Sequence, residues 1–266
     1  MHYADCYRKQ GVAMIYDLQR ASMLKRISAF ILDAILLSIA AVFAAWLMSA
    51  AFHYDSYNSV VAGAYERYAA EYGITDEMTQ ADPSQLSAEQ IDALNAASAA
   101  IAADAEAVRA YNMVIHLQLL MITFGLLFAF LLLEFAVPLI LKNGQTIGKK
   151  VFGIGVMHLE GVRLGHVALF VRTVLGKYAV ETMIPVLCAV TLINGIGSPV
   201  FLLITAILLI AQAALLIATR EHALLHDKMA VTVTVDLASQ MIFNSRDELL
   251  EYKKKLHEEK AAKETY

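Results

Sequence analysis

The chain has 266 residues, 59% of them hydrophobic, and a mean hydropathy of +0.56. Soluble globular proteins hold nearer ~45–50% apolar residues, so an ordinary water-soluble domain is excluded, and the excess is gathered into long blocks. A net charge of −4 and only 2 cysteines, Cys6 and Cys188, exclude a disulfide framework and give no basic face for nucleic acid.

The N-terminal segment, 1–20, contains Asp5, Arg8, Lys9, Asp17 and Arg20. It lacks the apolar core of a cleaved leader, so the first apolar block is expected to stay in the mature protein. That block, 27–52, carries one charge, Asp33, and ends near Trp46, an aromatic suited to the membrane interface. It is long enough to cross ~30 Å of hydrocarbon. The acidic, alanine-rich stretch 54–111 predicts an extracytoplasmic helical insert. Asp82-Pro83-Ser84 reads as a turn, and Ser87 followed by Gln90 as a helix start. One arm of this hairpin is expected to extend the first span and the other to run back into the second.

The second span is expected over 112–141, with Glu134 and Pro138 near its exit. The connection 142–177 reads as a cytoplasmic interfacial segment. Within it, VFGIGVMHLEGVRL is irregular or β-like, and GHVALFVRTVLGKY forms an amphipathic helix lying on the membrane. Arg172 in that helix would face headgroups or a buried acid. A third span at 178–194 contains Glu181, close enough to its start to reach the headgroups, and Pro185. Gly195-Ile196-Gly197 forces a hairpin into a fourth span at 198–219, which has Gln212 but no formal charge. The remaining 239–266 is a charged tail with helical character, whose Lys253, Lys254 and Lys255 suit either water or a lipid surface. The fold class is therefore all-α and polytopic, with about four transmembrane helices.

Lys and Arg set the orientation. They cluster before the first span, between the second and third, and after the fourth, whereas 54–111 holds only Arg67 and Arg109. Both termini are expected in the cytoplasm and the protein in the cell membrane.

A carboxylate inside a span costs roughly 2.5–3.5 kcal/mol to insert, so Asp33 must face a bundle interior or a cavity. Arg26 stands about two turns earlier on roughly the same face. Two readings stay open for Asp33, a proton- or cation-binding carboxylate and a structural pair that fixes helix packing. Glu134 is expected at a similar depth, where it could share a proton or a cation with Asp33.

Other motifs fail on spacing. In NGQTIGKKVFGIGV the first glycine lies too near Gly148-Lys149, and Lys150 stands where a phosphate loop needs Ser or Thr. In HALLH the residue after the first histidine is Ala223, not the glutamate of a zinc protease. His226 and Asp227 are expected instead to hydrogen-bond past the end of the fourth span. No nucleophile–base constellation is present, so neither an enzyme, a cofactor nor a metal is expected.

Three ordered stretches resemble the RDD family of bacterial membrane proteins. They are ASMLKRISAFILD, GQTIGKKVFGIGV with EGVRLGHVALFVRTVL, and LLHDKMAVTVTVD. The Arg and two Asp that name the family map onto Arg26, Asp33 and Asp227, and Val231 stands where the family usually has glycine. The resemblance implies a helical membrane fold and a transport role, with cation/proton exchange suggested for members. A small transporter or exchanger of protons or monovalent cations is one expectation. With so few helices it would work as a homo-oligomer in the lipid bilayer. A non-transporting scaffold or assembly protein locked by Arg26, Asp33 and Asp227 is the other, and Arg26, Asp33, Glu134, Arg172 and Asp227 form the candidate polar core, transporting or structural.

Overall fold

The computed structural model describes residues 16–141, 143–195, 197–219 and 221–264. Asp5, Cys6, Arg8, Lys9, Lys142, Ile196 and Arg220 lie outside the described residues, as do the side chains of Lys260 and Lys263. In chain order the elements are α1 (Met23–Ala51), α2 (Tyr54–Tyr72), α3 (Asp76–Gln80), α4 (Ala88–Ala103), α5 (Ala105–Leu141), α6 (Ile147–Val151), β1 (Ile154–His158), α7 (His166–Ile193), α8 (Pro199–Ala218), α9 (Leu225–Met229), β2 (Thr232–Asp236) and α10 (Arg246–Glu264). Of these, α1, α5, α7 and α8 are long and apolar enough to cross a membrane. The protein is a helical multi-pass membrane protein, with one small sheet among the described residues.

Two helices depart from the sequence reading. The stretch expected to lie on the membrane is the first part of α7, which runs unbroken from His166 to Ile193. Arg172 and Lys177 have acidic partners inside the fold, so neither needs the interface. Glu181 is accordingly mid-helix, bonded to His226 rather than placed at the headgroups. Both α5 and α7 contain π-wound segments, Phe130–Ala136 and Val171–Met183. Pro138 and Pro185 follow Glu134 and Glu181 by four residues. Proline has no N–H to give the carbonyl four residues back and its ring crowds that oxygen. The wider winding around each glutamate accommodates the loss, and such segments collect at functional positions.

The chain divides into two compact units, Val42–Gly125 and the remainder. In Val42–Gly125, α2 packs along α4. The helix start expected at Ser87 is a reciprocal cap. Ser87 Oγ accepts from the Gln90 N–H at 3.2 Å, and Gln90 Oε1 accepts from the Ser87 N–H at 2.9 Å. The hairpin does not run straight into the spans. His53 turns the chain at φ 53° before α2. Asp104 turns it again, accepting from the N–H groups of Glu106 and Ala107 at 3.0 and 3.1 Å. Its other oxygen accepts from Arg67 at 2.6 Å and Tyr68 at 3.2 Å, tying α2 to this corner.

In the other unit, β1 pairs antiparallel with β2, Val156 opposite Thr234. Ile154, Val156, Met157, Val233 and Val235 are all buried, so both faces of the ribbon are covered. Residues 19–21 add a short third edge, the Ala21 N–H donating to the Thr234 carbonyl at 3.2 Å. Ala21, Ala29 and Ile154 then pack together, seating the ribbon against the start of α1. The alternation in MAVTVTV forms β2, a strand that the all-α expectation does not include.

Val231 enters β2 at φ 53°, a conformation strained for a β-branched residue. This is the position noted above as usually glycine. Relieving about 1–2 kcal/mol of backbone strain outweighs the entropy cost of glycine, about 0.5–1 kcal/mol. Val231→Gly is expected to raise the melting temperature in detergent by a few degrees; a lower one contradicts the strain.

Candidate functional site

Charges brought into a membrane fold must find partners, because hydrocarbon solvates none of them. Asp33, on α1, is held by the start of α6. Its Oδ2 accepts from the Thr146 hydroxyl, and its Oδ1 accepts from the Gly148 N–H at 2.7 Å. Thr146 is also the cap of α6, accepting from the Lys149 N–H at 3.3 Å. A Cβ on Gly148 would stand 2.3 Å from the Ala29 carbonyl oxygen, so only glycine lets α6 press onto α1.

Asp227, on α9, is the second anchor. Arg172 of α7 pairs with its Oδ1, and the same guanidinium nitrogen reaches Thr232 Oγ1 at 2.5 Å. Asp227 Oδ2 accepts from the Leu224 N–H at 3.3 Å, capping α9. Arg26 approaches this carboxylate at 3.8 Å and donates to the Glu221 carbonyl at 3.4 Å. Gly176 permits the approach of α7 to α9, since a Cβ there would lie 2.6 Å from the His226 Cβ.

Two further pairs complete the centre. Lys177 donates to Glu134 Oε2 at 2.6 Å, joining α7 to α5. Glu181 takes both the His226 backbone N–H at 2.8 Å and its Nδ1 at 2.7 Å. Lys149 Nζ donates to Thr146 Oγ1 at 3.2 Å; among the described residues no carboxylate lies in ion-pair range of it.

Arg26, Asp33, Glu134, Lys149, Arg172, Lys177, Glu181, His226 and Asp227 line one cavity of about 510 Å³, walled elsewhere by apolar side chains such as Phe30, Leu37, Leu209 and Leu216. Arg26, Asp33, Glu134, Arg172 and Asp227, the five residues singled out from the sequence, are all brought to it. Their pairing differs from the expectation. Arg26 turns to Asp227 and not to Asp33, and Glu134 goes to Lys177 instead of sharing a site with Asp33. Sequence reasoning missed Lys149, Lys177 and Thr146. Thr146 and Lys149 stand in GQTIGKKVFGIGV, a stretch that fails as a phosphate motif and carries the family resemblance without marking a site, and Lys149 and Lys177 count otherwise only as cytoplasmic charges.

The sequence profile of the RDD family matches residues 20–231, well over half of the chain and nearly all of the cavity. The chain belongs to the RDD family. Comparison with curated proteins and with solved structures gives no match. The Arg and two Asp of this RDD protein therefore serve two anchors, Asp33 at α6 and Asp227 with Arg172 and Arg26 at α9.

Electrostatics separates the anchors from the exchangeable groups. Burial alone would raise the Asp227 pKa, but the Arg172 guanidinium holds it well below the usual carboxylate range. Burial pushes the His226 imidazole down, with Arg172 adding to the effect. Lys149 is pushed from 10.5 to about 8 by burial and by Lys177, against the pull of Glu134 and Asp33. Between pH 8 and 10.5 the unfolded chain keeps a proton on Lys149 that the folded protein has released, so this residue's contribution to stability rises with pH across that window. The stability of wild type relative to Lys149→Met is expected to climb by up to about 3 kcal/mol over it. A flat difference in detergent melting curves rules this out.

Proposed function

We propose that this RDD protein moves protons or monovalent cations across the cell membrane through the charge-lined cavity, and that it is not an enzyme. The cavity carries the reading. Four basic groups, Arg26, Lys149, Arg172 and Lys177, face four acidic ones, Asp33, Glu134, Glu181 and Asp227, around a space of about 510 Å³. A lock for helix packing needs ion pairs but no void among them, whereas a small ion needs both polar walls and room.

Exposed basic residues support the orientation. Lys150, Arg163, Arg246, Lys253, Lys254 and Lys255 all lie outside 54–111, a bias that supports the insert outside the cell and both termini inside. Lys149, Arg172 and Lys177 no longer count toward this bias, because they are buried in the network or nearly so. We place the protein in the bilayer as a homo-oligomer. The apolar face of α8, which has no buried residue in its spanning window, is suited to lipid or a second copy.

The scaffold reading has its own observation. Both oxygens of Asp33 and both of Asp227 accept hydrogen bonds that hold short helices in place. Asp33→Asn separates the two readings, since an amide oxygen still accepts from the Gly148 N–H while the charge is lost. In proteoliposomes with an imposed pH gradient, wild type is expected to carry proton flux driven by Na⁺ or K⁺. Asp33→Asn should lose at least about ten-fold with little change in melting temperature. Wild-type vesicles no leakier than empty ones would sink transport and leave the scaffold, to be pursued by its partner in a pull-down.

A further inference from the structure

We propose that Asp33, Thr146 and Lys149 form a proton relay in the cavity, with Asp33 as its loading point and Lys149 as the group that holds the proton. The proposal rests on the transport reading and names the proton-binding group within it. The geometry is a continuous hydrogen-bonded chain. Lys149 Nζ donates to Thr146 Oγ1 at 3.2 Å, and the Thr146 hydroxyl donates to Asp33 Oδ2. A hydroxyl both donates and accepts, so Thr146 can pass a proton between the two without moving.

Local structure holds the chain in register. Thr146 is fixed as the cap of α6 by the Lys149 N–H at 3.3 Å. Asp33 is aimed by the Gly148 N–H at 2.7 Å, and the missing side chain of Gly148 sets the closeness of α6 to α1. All three partners thus come from two elements pressed together at one point.

The charges around Lys149 are Asp33 from α1, Glu134 from α5, and Arg172 and Lys177 from α7. Glu134 is taken by Lys177 and Arg172 by Asp227. Lys149, only 8% exposed, is left with a hydroxyl as its acceptor and with like charges beside it. Its ammonium accordingly releases a proton at about pH 8, within reach of physiological pH, where an ordinary lysine stays charged.

Loading runs from a protonated Asp33 to the neutral amine. The Asp33 O–H bond breaks as a new Thr146 O–H forms, and the original Thr146 O–H breaks as Lys149 gains its third N–H. A carboxylic acid and an amine become a carboxylate and an ammonium. The ammonium-to-hydroxyl-to-carboxylate order in the structure is the product of that transfer. No co-reactant beyond the proton is needed.

Lys149→Arg tests the relay against a merely structural lysine, because arginine keeps the charge but does not deprotonate. In proteoliposomes with an entrapped pH dye, Lys149→Arg and Thr146→Val are each expected to cut proton flux at least about ten-fold, and Thr146→Ser to restore most of it. Wild-type flux in Lys149→Arg overturns the relay while leaving transport standing. If wild-type vesicles carry no protons, transport fails and isotope-edited NMR of the Lys149 ammonium in detergent decides the relay. The same titration of the wild-type protein decides it if the variants do not fold. A midpoint near 8 sustains the relay, and one near 10.5 overturns it.

Discussion

The polar centre depends on the contact between the Arg172 guanidinium and the Asp227 carboxylate, which are 3% and 2% exposed. Two such charges cannot be left alone in a fold surrounded by hydrocarbon. Their attraction offsets desolvation only when the remaining donors and acceptors are also filled. Thr232, the Leu224 N–H and Arg26 fill them. Through this one contact α7, α9, the entrance to β2 and the mouth of α1 are fixed to one another. The positions of Lys177 and Glu181 along α7, and so the pairs they make, follow from it.

Asp33 does a comparable task by other means. It offers both oxygens to the first turn of α6, one to a backbone N–H and one to a hydroxyl. Partial positive charge at a helix start favours a carboxylate there, so Asp33 needs no cationic partner and Arg26 is released to Asp227. Among the described residues, the division leaves Lys149 as a buried cation with no carboxylate in ion-pair range, facing a cavity large enough for several waters. Two carboxylates bonded through both oxygens and a lysine that releases its proton more readily than usual are therefore brought to one cavity from three separate helices.

The membrane class, the number of apolar spans, Asp33 and Glu134 were legible because hydrocarbon penalises charge so strongly that each exception in an apolar block stands out, while Asp227 was reached through the family resemblance. Asp33 in ILDAILL and Glu134 in LLLEFAV are visible for that reason alone. The pairings were not legible. Arg26 and Asp33 share a helix face, yet a helix start supplied by residues far along the chain supplied Asp33's donors. Lys177 reads as a cytoplasmic charge, and Arg172 as facing either headgroups or a buried acid, because a span reading assigns basic residues to water unless an acid is known to meet them. The acids that do, Asp227 and Glu134, come from other elements. β2 escaped notice because Thr232 and Thr234 are buried on a ribbon covered on both faces, a setting that hydrophobic alternation does not announce.

A double-mutant cycle on Arg172→Met and Asp227→Leu, read as melting stability in detergent, is the most direct check on the central contact. Removing either charge alone strands the other. Each single change is therefore expected to lose about 3–5 kcal/mol, and the double change to lose less than the two together by about 3 kcal/mol or more. Strict additivity of the two losses would contradict the account, since it would mean that the two side chains do not depend on one another.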